Sequence, residues 1–148
     1  MQIETDYLVV GAGASGLAFA DSLLAEADVD VVLVDRRERP GGHWQDAYPF
    51  VQLHTPSTYY GVTSTPLGND RIIESGRNQG FYEQAGKDEI CGYFEGVVDA
   101  LDGRAGSLGG HDYRGGDDHS IPALRTGEVH TVRVRKRVVD ATVLEWSM

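Results

Sequence analysis

The chain has 148 residues, and its 13 Lys and Arg against 23 Asp and Glu leave a formal net charge of −10. That size suits one domain, the acidic balance disfavours a nucleic-acid partner, and 41% hydrophobic residues disfavour wholesale disorder. One cysteine, Cys91, closes no intramolecular disulfide; with no apolar run of membrane-spanning length and no signal-like N-terminus, the expectation is a cytoplasmic protein without a membrane partner.

The first apolar run, Tyr7–Val10, stops at glycine, as a buried parallel strand does. Residues 14–27 then change to helical spacing. Leu17, Ala20 and Leu24 share one face, with Phe19 and Leu23 widening it. Val31–Val34 is a second buried strand that ends at Asp35. Strand, glycine turn, helix and strand make a βαβ unit. Residues 36–80 hold four of the five prolines and show little regular pattern, so they form a long loop excursion of the kind that often carries function. Residues 86–102 return to helical spacing, with Ile90, Phe94, Val97 and Leu101 on one face. Residues 103–119, rich in Gly, Asp and His, read as a loop or ragged hairpin. Alternation follows: Val129, Thr131, Arg133 and Arg135 on one face, His130, Val132 and Val134 on the other. A last strand-like run spans 138–143. The fold class expected is α/β, a Rossmann-type parallel sheet with an antiparallel strand pair or meander near 111–135.

Gly11-Ala-Gly13-Ala-Ser-Gly16 is a G-x-G-x-x-G fingerprint between a predicted strand and a predicted helix. The first glycine permits the tight turn. The second leaves room for a pyrophosphate against the backbone, and the third lets helix and strand pack closely. The helix start offers unpaired N–H groups to phosphate. Asp35 follows Gly11 by 24 residues, where a carboxylate accepts hydrogen bonds from an adenosine ribose. That acid repels a 2′-phosphate, a conclusion softened by Arg36 and Arg37, since arginines there can accommodate one. Gly41-Gly42-His43-Trp44 is either a second close approach to the ligand or a surface turn with a packing tryptophan.

The series Gly11/Gly13/Gly16, Asp35 and Gly41-Gly42-x-Trp44 resembles the N-terminal FAD-binding segment of flavin-dependent monooxygenases, the flavin-containing and Baeyer–Villiger kind. The resemblance implies that Gly11, Gly13, Ala14, Ser15 and Gly16 cradle the FAD pyrophosphate, that Asp35 with Arg36 meets the adenosine ribose, and that Gly42, His43 and Trp44 lie along the flavin half. His54 stands where relatives bring polar groups to the flavin edge; the other reading is a loop histidine without a role. No residue is assigned as a catalytic acid or base.

Two features depart from the family pattern. A second glycine fingerprint for NADPH is absent, and Phe94-Glu-Gly96 begins the signature F-x-G-x-x-x-H but Ala100 replaces its histidine. The chain therefore reads as a single FAD-binding domain over 1–148. It is the N-terminal portion of a longer oxidoreductase that uses NADPH and a small-molecule substrate, completed by a missing C-terminal region or a second chain. The alternatives are an NAD(P)-binding dehydrogenase module and a non-catalytic dinucleotide-binding remnant. No metal is expected: His111-Asp112 and Asp117-Asp118-His119 read as a solvated turn, and Arg133–Arg137 as a solvated strand face.

Overall fold

The computed structural model describes residues 2–101 and 103–142. Five strands form one sheet: β1 (Gln2–Val10), β2 (Val31–Asp35), β3 (Ala105–Gly109), β4 (Ser120–Pro122) and β5 (Val129–Asp140). Their order across the sheet is β3-β2-β1-β5-β4. Strands β3, β2, β1 and β5 run parallel, and only β4 is antiparallel to its neighbour β5. Helices α1 (Ala14–Glu26) and α2 (Lys87–Ala100) complete the regular elements.

The two-residue period of the strands divides the core. Val9, Val31 and Leu33 face the helices and pack with Leu17, Ala20 and Leu24 of α1 and Ile90, Phe94 and Val97 of α2. Leu8, Val32 and Val34 face the other way, against Ile121 of β4 and Val132 of β5. The apolar stripes read from the sequence are thus the buried faces of both helices. Beyond β2 the excursion contains two 3-10 turns, Gly42–Asp46 and Ser57–Tyr59, and isolated bridges such as Gln52 with Gly86.

Two expectations change. Residues 105–109, expected within a loop or ragged hairpin, form β3, parallel to β2 in register Val31 with Ala105 through Asp35 with Gly109. As an edge strand of Ala, Gly and Ser with mostly exposed positions it carries no apolar run to betray it. The two strand-like runs at 129–135 and 138–143 are one strand, β5, through Asp140, with residue 143 outside the described residues. The intervening Lys136 and Arg137 interrupt the pattern because that stretch of β5 is exposed. The expected antiparallel pair is β4 with β5, extended by bridges between His111 and Ala123 and between Gly115 and Ser120.

The basic run of β5 faces acids at the start of β1. The Arg135 guanidinium donates to Asp6 Oδ1 at 2.9 Å and Asp30 Oδ2 at 2.7 Å, and Arg133 lies 3.8 Å from Glu4. This ion-pair group holds Asp6 below the usual carboxylate range, chiefly through the Arg135 hydrogen bond.

Candidate dinucleotide-binding site

The carboxyl ends of β1, β2 and β5 converge at the glycine turn. Gly11 leaves β1 with φ +107°, a conformation that favours glycine, and its N–H donates to Val34 O at 2.8 Å. A Cβ there would stand 3.0 Å from Ala141 O, so the end of β5 closes one side of the turn. A Cβ on Gly16 would overlap the Gly11 carbonyl oxygen, which makes Gly16 the point of closest approach between α1 and the end of β1. The N–H groups of Ala14, Ser15 and Gly16 have no hydrogen-bond partner among the described residues, and α1 has no side-chain cap. They are the orphan donors of a helix start, which suit an anion.

Gly13 also stands against the second turn. Its φ of −87° is ordinary, and its missing Cβ would lie 3.4 Å from Gly42 Cα. Conversely, a Cβ on Gly42 would come to 3.1 Å from Gly13 Cα. The two glycines therefore let the turn after β1 and the turn after β2 pack backbone on backbone. Gly41 (φ +124°) adds a hydrogen bond from its N–H to Ala12 O at 2.9 Å. Asp35 completes the junction: Oδ2 accepts the Ala12 N–H at 2.7 Å and Oδ1 accepts the Arg37 N–H at 2.8 Å.

The structure thus places Gly11, Gly13, Ala14, Ser15, Gly16, Asp35 and Gly42 around one junction. Trp44 points away from it into the core. It is 7% exposed, donates from Nε1 to Tyr60 Oη at 2.9 Å, and meets the Tyr60 ring edge-on, as Tyr60 meets Phe94. His43 is exposed, its ring centroid 5.5 Å from that of Trp44. Arg36 is exposed with Nε 3.9 Å from Asp112 Oδ1, and Arg37 donates from Nε and Nη2 to Asp46 Oδ2 at 3.1 and 2.5 Å. Arg37 holds the Asp46 carboxyl below its usual range. His54 belongs to a separate surface groove with Phe50, Val51, Gln52, Leu53 and Gln84.

The sequence reading missed the turn Asp140–Thr142, where Asp140 Oδ1 accepts both the N–H and the hydroxyl of Thr142 at 3.0 and 2.5 Å. An Asp two residues before a Thr is the available signal, the pattern of an Asx turn. These hydrogen bonds depress the Asp140 carboxyl. Burial raises the Cys91 thiol, the opposite of what an activated nucleophile needs. Among the described residues no three His, Cys, Asp or Glu side chains are placed to hold a metal, and no helix is long and apolar enough to cross a membrane. A larger concavity lies where the strands begin, lined by Glu4, Thr5, Asp30 and Arg104 among others. In open α/β sheets ligands bind beyond the carboxyl ends of the strands, which favours the glycine junction as the site.

Comparison with known proteins agrees with this geometry. Residues 9–62 match the model of the NAD(P)-binding Rossmann-like domain. An uncharacterized protein of Mycobacterium tuberculosis is 49% identical over 145 residues, covering 96% of this chain and 26% of the relative. "Probable FAD-binding monooxygenase AlmA" of Acinetobacter baylyi is 30% identical over 104 residues, 69% of this chain and 19% of its own length. Among solved structures, the flavin-containing monooxygenase of Stenotrophomonas maltophilia superposes with a TM-score of 0.65 at 21% identity, over 94% of this chain and 38% of that one. The chain spans about a quarter of the length of the mycobacterial relative. Residues 9–62 thus belong to a Rossmann-like dinucleotide-binding fold, one shared with the flavin-containing monooxygenase structure.

Proposed function

We propose that residues 1–148 form one FAD-binding domain, the N-terminal portion of a cytoplasmic flavin-dependent oxidoreductase that oxygenates a small organic substrate with NADPH. The observation that carries this reading is the junction of two turns: unpaired N–H groups at the start of α1, flanked by Asp35 and closed by Gly41–Gly42. The G-G-x-W turn after the acid supports a flavin dinucleotide over a nicotinamide one, as does the likeness to proteins named as FAD-binding or flavin-containing monooxygenases.

In this reading the donors of Ala14, Ser15 and Gly16 take the pyrophosphate, where the positive end of the α1 dipole adds to them. Asp35 retains lone pairs for the ribose hydroxyls, since a carboxylate has about four acceptor sites and two are used by backbone N–H groups. Arg36, exposed beside it, meets the outer edge of the ribose. Gly42 and His43 lead toward the flavin half, with buried Trp44 anchoring their turn to the core. His54 supplies a polar group from the neighbouring loop. When bound, FAD supplies the redox chemistry; the protein supplies placement and electrostatics. A small-molecule substrate and a partner region, in cis or as a second chain, complete the activity.

Titration of the purified chain with FAD, NAD and NADP under identical conditions tests the assignment. Tightest binding of FAD, with flavin absorbance retained through gel filtration, is expected. Tighter binding of a nicotinamide nucleotide would replace this reading with an NAD(P)-binding dehydrogenase module. Binding of FAD without NADPH oxidation, even when the partner region is supplied, would point to a non-catalytic remnant.

A further inference from the structure

We propose that Asp35 is a positioning residue for the glycine turn, acting through the Ala12 peptide and not only through ribose. The proposal rests on the reading of the junction as a dinucleotide site. Ala12 is the one residue between Gly11 and Gly13, and it is held at both of its backbone groups. Its N–H donates to Asp35 Oδ2 at 2.7 Å, and its carbonyl accepts the Gly41 N–H at 2.9 Å. Asp35 is itself oriented by the Arg37 N–H on its other oxygen, at 2.8 Å. A continuous set of hydrogen bonds therefore runs from the loop after β2, through the carboxylate and the Ala12 peptide, to Gly41.

Two consequences follow for an anion at the start of α1. A glycine-rich turn is free to rotate its peptides, and each rotation redirects the donors that follow it. Fixing the two peptides that flank Ala12, one at its N–H and the other at its carbonyl, removes that freedom before the ligand arrives, so less ordering is left for binding to supply. A carboxylate beside a diphosphate is also a repulsive neighbour. Two charge-assisted bonds to backbone N–H groups disperse its charge toward the protein and away from the phosphates.

The probes are ADP and 2′,3′-dideoxy-ADP, which share the diphosphate and differ in the ribose hydroxyls. Asp35→Ala is expected to weaken 2′,3′-dideoxy-ADP by about tenfold or more, since a hydrogen bond to a charged group is lost together with the order of the turn. Asp35→Asn, which keeps the shape and one acceptor oxygen, is expected to lose less affinity. It is also expected to speed hydrogen exchange of the Ala12 amide at unchanged global stability, and it carries the test if the alanine variant does not fold. Unchanged 2′,3′-dideoxy-ADP affinity in the substituted protein, with loss confined to ADP, would show that Asp35 acts on ribose alone and overturn the proposal. Failure of the unsubstituted protein to bind either FAD or ADP would instead remove the dinucleotide reading itself, before any substitution is compared.

Discussion

Each glycine of the fingerprint answers a different physical demand. Gly16 has no room at all for a side chain, because its Cβ would overlap the Gly11 carbonyl oxygen. Gly13 has an ordinary φ, and a Cβ there would just touch Gly42 Cα, at 3.4 Å. Gly16→Ala should therefore destabilise the fold by more than about 3 kcal/mol, an overpacking that neither backbone can relieve. Gly13→Val should instead displace the Gly41–Trp44 turn, weakening FAD binding and shifting Trp44 fluorescence with smaller loss of stability. Urea unfolding and FAD titration of the two variants check the contrast; equal stability losses would contradict it. Tyr93 makes a second residue-scale test. Its hydroxyl donates to Thr65 O at 2.5 Å and accepts the Val62 N–H at 2.7 Å, tying α2 to the loop after Tyr60. Burial pushes the Tyr93 hydroxyl above its ordinary range. Tyr93→Phe leaves the N–H of buried Val62 without its acceptor and should cost about 1–3 kcal/mol in urea unfolding.

At the scale of elements, α1 ends without a basic residue in its last turn and borrows one from far along the chain. The Arg104 guanidinium, just before β3, donates to Leu24 O at 2.5 Å and Ala27 O at 3.0 Å. It satisfies two carbonyls at the negative end of the helix. Arg104→Ala should lower stability by about 1 kcal/mol, read as a shift in thermal midpoint, and Arg104→Lys should restore only part of it. Nothing local in Arg104 announces this role, which depends on β3 pairing with β2. The same dependence explains what the sequence discloses. Strands β1 and β2 and both helices are legible because each buries a face, and burial imposes a period. Strand β3 is not, because its neighbour supplies the hydrogen bonds and solvent tolerates its side chains. The glycine turn and Asp35 are legible through spacing. The contact of Gly13 with Gly42 and the inward turn of Trp44 are not, because each depends on where a second loop lands.

Across the whole molecule, three hydrogen-bonded acids give stability a dependence on pH. Asp6, Asp46 and Asp140 are all held below the ordinary carboxylate value, the first two by arginine hydrogen bonds and the third by Thr142. A group with a depressed folded value stabilises the fold fully above its unfolded value, near 3.8, and loses that contribution as pH falls through the folded one. Stability should therefore stay level from neutral pH down to about 5 as far as these three groups are concerned, and fall progressively below about 4. High salt should blunt the arginine-paired share of that fall, since those pairs are exposed and screened. Circular dichroism during acid titration at low and high salt measures both; a fall that begins near neutral pH would assign the sensitivity to other groups.

The pairing of β1 with β5 has a consequence for how the chain reaches this state. Gln2 lies opposite Thr131 and Val10 opposite Asp140, a sequence separation of 129 residues that becomes 130 past the irregularity between Thr5 and Tyr7. During synthesis β1, α1 and β2 emerge first, and one edge of β1 stays bare until β5 leaves the ribosome. Loop-closure entropy must be met before that pairing returns any energy, so a non-local pairing of this length slows folding. The nascent chain is then most open to wrong strand partners along that edge of β1.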